Sequence, residues 1–204
     1  TQEGEIRTIT NGLRQALNNP YFVELLKDSL AVAFEKSKAY RTDMPLTRYK
    51  KYRRRDTIRL LNWKEQMVDQ NIGGYTYKDG QFVVFVTLKK DEDFKGALMA
   101  YEDELLSPNL LKWYTKAPRT TSSPEVKAIL DYYISGLNMH IFVKKSDDEG
   151  TDFYYLGKVE PQLNSIEEFH KPTNDGKTKS VVEMHLKFLE AVDYKLYRYL
   201  TNIE

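Results

Sequence analysis

His140, His170 and His185 are the only histidines in the chain, and none stands at a metal-ligand spacing such as H-x-x-x-H. His140 opens an expected strand and His185 falls on the polar face of another, so they read as structural or surface residues. Gly176-Lys177-Thr178 resembles the end of a phosphate-binding loop, but that loop also needs a Gly five positions before Gly176, and position 171 is Lys. Such a loop opens a helix so that backbone N–H groups aim at phosphate, whereas a strand is expected here. Two acid-x-Lys triplets, Glu125-Val126-Lys127 and Asp193-Tyr194-Lys195, have the bare spacing of a metal-dependent nuclease. Both fall on expected helices without an acid placed upstream, and a chain that is 30% charged produces such triplets by chance. A strained G-x-S-x-G nucleophile turn is missing, and so is Cys, which excludes disulfides, thiolate metal sites and thiol nucleophiles. The chemistry to expect is binding, with no catalytic residue, metal or cofactor.

Two segments carry binding chemistry. Arg48-Tyr49-Lys50-Lys51-Tyr52-Arg53-Arg54-Arg55 holds six cations and two interleaved tyrosines. Cations neutralise phosphates and release counterions, and Tyr adds stacking or a phosphate hydrogen bond, so the segment points to nucleic acid. The plainer reading is a solvated face ahead of a helix, and an anionic protein partner stays open. The second segment runs from Tyr101-Glu102-Asp103-Glu104 through Trp113-Tyr114 to Arg119-Thr120-Thr121-Ser122-Ser123. It gathers aromatic, acidic and hydroxyl groups around an expected loop that leads into a helix. Aromatic faces can sandwich a base, and an acid can accept from a cytosine amino group. N–H groups at the helix start, with Arg119 beside them, can hold a phosphate. Core burial of Trp113 and Tyr101 is the competing reading.

The elements that must position these residues follow from pattern. Residues 5–38 read as two helices, the second started by Asn19 as N-cap with Pro20 in the first turn. Phe22, Leu25, Leu26, Leu30, Ala33 and Phe34 give that helix one apolar stripe, which either docks on the main domain or faces a neighbour. Asp56 is expected to cap a short helix over 57–63. Residues 75–77 and 81–88 read as a hairpin around Asp79-Gly80, and the run Val83–Val86 as a strand covered on both faces. Ser122-Ser123-Pro124-Glu125 predicts a capping box and a helix that stops at Gly136. Strands are expected at 140–145 and 153–159, joined by the polar loop 146–152, whose acids would repel DNA or face another domain. Residues 163–178 read as a long loop, Val182, Met184, Leu186 and Phe188 as a half-buried strand, and 192–200 as a Tyr-rich helix. Helices first and strands later, without βαβ alternation, predict α+β. The expected domains are 1–44, a helical segment that packs on or links to the main domain, and 45–204.

The chain has 204 residues, 41% apolar and 13% aromatic, with a net charge of +1. Length alone predicts one domain, or one plus a short appendage. Uniform positive charge is excluded, yet charge is polarised along the sequence. Residues 41–64 hold nine basic residues against two acids, while 91–104 hold six acids against Lys95. No apolar run approaches the roughly 20 residues of a spanning helix, and residues 1–10 lack the apolar core of a signal peptide. A start at Thr1 instead of Met is what a piece of a longer protein would show.

Tyr49-Lys50-Lys51-Tyr52 with Arg54 and Asp56, then Leu60-Leu61-Asn62-Trp63, Tyr101-Glu102-Asp103-Glu104-Leu105, Trp113-Tyr114, Arg119 and the block 142–157 carry a family resemblance. Over roughly 45–200, with the last block the most specific, the chain resembles the C-terminal target-recognition domain of bacterial type IV, modification-dependent restriction endonucleases. The resemblance implies an SRA-like fold, with a curved, mostly antiparallel sheet or partial barrel and flanking helices. It implies a cytoplasmic reader that flips 5-methylcytosine or 5-hydroxymethylcytosine out of duplex DNA, in a phage-defence enzyme. The nuclease and the ATP-driven helicase would be upstream parts of the same protein, and a homodimer through that parent protein is a further expected partner. With that function, Tyr101, Glu102, Asp103, Trp113, Tyr114 and Tyr155 become base-pocket candidates. Tyr154 and Tyr155 point to opposite faces of one strand, so at most one of them can line the pocket. Arg48, Lys50, Lys51, Arg53, Arg54, Arg55, Arg119, Ser122 and Ser123 become backbone-contact candidates. A modification-independent DNA anchor, and an interdomain or dimerisation module, are the alternatives.

Overall fold

A computed structural model describes residues 9–65, 67–89, 103–172 and 177–203. The chain divides into two units, Thr1–Pro45 and Leu46–Glu204. The first contains α1 (Asn11–Ala16) and α2 (Pro20–Ser37). The Asn19 side chain accepts from the Tyr21 and Phe22 N–H groups at 3.0 and 3.3 Å, and Pro20 stands where a missing N–H costs nothing.

The second unit is α+β, built on an open, mixed and mostly antiparallel sheet of nine strands. In chain order these are β1 (Lys51–Tyr52), β2 (Tyr75–Lys78), β3 (Gln81–Lys89), β4 (Glu104–Ser107), β5 (Leu110–Tyr114), β6 (Asn138–Ser146), β7 (Phe153–Pro161), β8 (Glu167–Pro172) and β9 (Thr178–Phe188). The spatial order is β2-β3-β6-β7-β9-β5-β4, with β1 added to β7 and β8 added to β9. Among the described strands, only β3 and β6 pair in parallel. The β2–β3 hairpin turns at Asp79 and Gly80, both at positive φ (49° and 71°), the geometry a two-residue turn demands.

Alternation along β3, β6 and β7 feeds two cores on opposite faces of the sheet. Phe82, Val84, Val86, Met139, Ile141, Val143 and Leu156 face one cluster. Val83, Phe85, Phe142, Phe153 and Tyr155 face the other, which also takes Leu46, Tyr52, Ile58, Leu61 and Ile72. The apolar run Val83–Val86 is thus covered on both faces, as its lack of alternation predicts. On the first face lie α5 (Pro124–Leu130), through Val126 and Ile129, and α7 (Tyr194–Thr201), through Tyr197 and Leu200. On the second lie α3 (Arg54–Leu60) and α4 (Asp69–Ile72), through Ile58 and Ile72. A short α6 (Tyr132–Ser135) ends at Gly136, whose left-handed backbone is the expected stop.

Several expectations need correction. Residues 104–107 and 110–114 are strands, because Leu111 and Trp113 alternate into the core between half-buried neighbours. The expected loop 163–178 contains β8, a mostly exposed strand defined by its pairing with β9. Helix α3 begins at Arg54, and the carboxylate that accepts from its first turn belongs to Asp69 (Arg55 N–H, 2.7 Å), not Asp56. No capping box forms at α5. The Ser123 hydroxyl accepts from the Thr120 N–H at 3.0 Å, and Glu125 turns to Arg119 and Tyr75.

Candidate nucleic-acid interface

The basic segment enters the sheet as β1, whose two residues pair with Tyr154 and Phe153 at the start of β7. This pairing sorts its side chains. Arg48 turns inward. Its Nε donates to the Leu156 carbonyl at 3.0 Å, one terminal nitrogen binds Glu190 at 2.8 Å, and the other donates to the Glu190 and Ala191 carbonyls. Gly157, at φ 128°, makes room for it, since a Cβ there would stand 3.2 Å from Arg48 Nε. Arg54 is half-buried. Its Nε donates to the Gly73 carbonyl at 2.9 Å and its guanidinium lies 4.6 Å from the Phe153 ring centroid. Burial, partly offset by Asp69 and Asp147, lowers its pKa.

The tyrosines between the cations do not reach outward to stack, contrary to the sequence reading. Tyr52 is buried, and its hydroxyl accepts from the Thr47 N–H at 2.8 Å. Tyr49 uses its hydroxyl to donate to the Ala191 carbonyl at 3.3 Å and to accept from the Asp193 N–H at 3.1 Å. Both fasten the segment to the domain.

What remains outward is a row of arginines from the N-cap of α3 to its last turn. Arg53, Arg55 and Arg59 keep 52%, 44% and 54% of their side-chain surface exposed, and their ion-pair partners, Asp152 and Asp56, are also open to water. Lys50 and Lys51 are half-buried beside this row, with Lys51 4.5 Å from the Tyr154 ring centroid. The acidic turn between β6 and β7 lies against it. Asp152 meets Arg53 at 3.3 Å, Asp147 meets Lys144 at 2.8 Å, and Glu149 approaches Lys51 at 3.9 Å. Asp152 and Glu149 thus partly neutralise the domain's own basic segment, while Asp147 holds Lys144.

The proposed base-pocket residues scatter. Tyr101 and Glu102 lie outside the described residues. Trp113 is 2% exposed in the first core, edge-on to Tyr75 and Phe82 at 5.2 and 6.1 Å between ring centroids. Tyr155 is 4% exposed in the second core, with its hydroxyl 3.0 Å from His140 Nδ1. Trp113 and Tyr155 therefore sit on opposite faces of one sheet and cannot wall a single pocket. Tyr114, on the outer side of β5, is half-buried, with Lys171 3.9 Å from its ring centroid, and its N–H donates to Asp103 at 3.0 Å. Tyr114 and Asp103 are thus the described pair that the fold brings together at the surface.

The phosphate-binding turn is occupied by its own bonds. Arg119 is paired with Glu125 and donates to the Pro118 carbonyl at 2.7 Å, and the Glu125 bond raises the Arg119 pKa. Ser122 Oγ lies 2.8 Å from Thr120 Oγ1, and the Thr121 N–H donates to Glu168 at 3.0 Å. Among the described residues no group of three or more His, Cys, Asp or Glu could hold a metal ion. No helix among them is long and apolar enough to cross a membrane.

Residues 46–200 match the model of a family described as a domain of unknown function, DUF3427. The chain belongs to the DUF3427 family. The matched span begins where the second structural unit begins, so the DUF3427 domain is the nine-stranded unit with its arginine row and acidic turn. No curated protein matches the chain.

Sequence reading gave no binding role to the exposed tyrosines of the last helix, which add to the exposed Tyr77 and Tyr133 elsewhere in the DUF3427 domain. Tyr194 and Tyr199 are exposed, and Lys145 lies 4.7 Å from the Tyr199 ring centroid. The run Tyr194-Lys195-Leu196-Tyr197-Arg198-Tyr199 carries an aromatic–basic signal of the kind sought at 48–55, displaced to the other end of the chain.

Proposed function

We propose that this DUF3427 domain is a duplex-DNA-binding module that reads modified cytosine, 5-methylcytosine or 5-hydroxymethylcytosine, for an ATP-dependent type IV restriction endonuclease of the SauUSI type. The domain binds and does not itself cut; ATP hydrolysis and cleavage belong to nuclease and helicase parts of the parent protein. The observation that carries the reading is the exposed set Arg53, Arg55 and Arg59, flanked by Lys50 and Lys51, cations of the kind that neutralise backbone phosphates. The resemblance along 45–200 supplies the modified base. Tyr114 and Asp103 are the base-facing candidates, Tyr114 by stacking and Asp103 as acceptor for the N4 amino group.

Burial of Trp113 and Tyr155 favours one second reading, a DNA anchor indifferent to modification. A duplex carrying 2-aminopurine next to the target cytosine separates the two. Unstacking on base extrusion brightens the probe, so fluorescence rises on binding when the target is 5-methylcytosine and stays flat when it is cytosine. A flat signal with both duplexes, while both bind, would leave the anchor.

A further inference from the structure

The C-terminal helix α7 presents a surface that the duplex reading does not use. Its inward side is Tyr197 and Leu200, and its outward side is Tyr194, Lys195, Arg198 and Tyr199, all exposed. These four line an open depression of about 550 Å³ with Asn202 and Ile203. That volume lies within the range of roughly 300–1,000 Å³ usual for ligand clefts.

Tyr199 is held in place. Its hydroxyl donates to Glu149, a carboxylate that is 12% exposed and also accepts from the Lys145 N–H at 3.0 Å. The Glu149 bond pushes the Tyr199 hydroxyl up to about 12, so it keeps its proton and adds no negative charge. Tyr154 meets Tyr199 edge-on at 6.3 Å, and Lys145 and Lys51 lie over the two rings. Four cations, Lys51, Lys145, Lys195 and Arg198, thus surround a set of tyrosines of which two are exposed. Of the nearby acids, Glu149 is committed to Tyr199, Asp147 to Lys144 and Asp193 to the helix N-terminus, where it accepts from the Lys195 and Leu196 N–H groups, while Asp148 is exposed in the turn beside Glu149.

A ring that accepts a stacked base, beside cations that follow the backbone, suits unpaired strands, because a paired base already has both faces covered. We propose that the Tyr194–Tyr199 face of α7, with Lys145, binds single-stranded nucleic acid, with Tyr199 as a base-stacking platform. The surface goes beyond duplex reading; it adjoins the arginine row at Lys51, but its tyrosines, Lys195 and Arg198 belong to α7.

The test is fluorescence anisotropy of the full chain with a labelled oligothymidine of about 15 nucleotides and, separately, a labelled duplex. Wild type should bind the single strand. Tyr194→Ala/Tyr199→Ala should weaken that binding by about tenfold or more, since each stacked base is worth roughly 5- to 150-fold. Tyr199→Phe, which keeps the ring, should stay within about threefold, and Lys195→Glu/Arg198→Glu, at exposed positions, should repeat the loss. Arg53→Gln/Arg55→Gln should affect the duplex more than the single strand. No binding to oligothymidine, or wild-type binding by both double variants at α7, would overturn the proposal. Equal loss of duplex binding in the Tyr variants would overturn a separate surface. Loss of duplex binding in wild type, with oligothymidine still bound, would instead count against the duplex reading alone.

Discussion

His140 offers a sharp test of the packing under the candidate interface. Its ring is 4% exposed, 3.0 Å from the Tyr155 hydroxyl, with Lys158 opposite it across β6 and β7. Burial first, and Lys158 second, lower its pKa from 6.5 to about 4. The folded state therefore binds this proton less readily than the unfolded state. Its contribution to stability is complete above pH 6.5 and is lost as pH falls from 6.5 towards 4. The full shift corresponds to about 3 kcal/mol, and between about pH 7.5 and 5 the loss is about 2 kcal/mol. At this chain length that lowers the melting temperature by roughly 4–8 °C. His140→Gln keeps a polar group near Tyr155 but does not titrate. Urea or thermal unfolding at the two pH values should show wild type losing about 2 kcal/mol more than the variant. Equal losses would refute the neutral, buried His140 and its packing against Tyr155.

Arg53→Gln/Arg55→Gln should make the plot of log affinity for duplex against log salt shallower by roughly 2, about 0.9 for each lost phosphate contact. Asp152→Asn releases Arg53 from a surface ion pair, and duplex affinity should rise by up to about fivefold in anisotropy titrations at low salt. Trp113→Ala should cost about 3–5 kcal/mol in urea unfolding. Trp113→Phe should leave the preference between methylated and unmethylated duplex unchanged, because the indole faces the core.

The legible parts of the fold are those fixed by local chemistry. Asp79-Gly80 specifies its own turn, Asn19-Pro20 its own helix start, and the run Val83–Val86 a strand buried on both faces. The hidden parts depend on partners distant in sequence. Strand β8 has little apolar pattern and exists through its register with β9. The acids of 147–152 look like a free loop until β1 pairs with β7 and sets Asp152 beside Arg53. The site was half legible for the same reason. Arg53 and Arg55 face outward as their density suggested, but Tyr49, Tyr52 and Arg48 are drawn inward by carbonyls and amides near 47, 156 and 190–193. Trp113 and Tyr155 show that an aromatic residue in a charged sequence can still be a core residue, since strand alternation outweighs composition.

The claim that the domain reads modified cytosine is tested most directly by competition. A labelled duplex with one 5-methylcytosine, bound at about 100 mM salt, is displaced by unlabelled duplexes that differ only at that base. Burial of one methyl group is worth about 1 kcal/mol, so the methylated competitor should act at roughly fivefold lower concentration, or lower still if the pocket shape rejects cytosine. Equal displacement by the two competitors would contradict the reading.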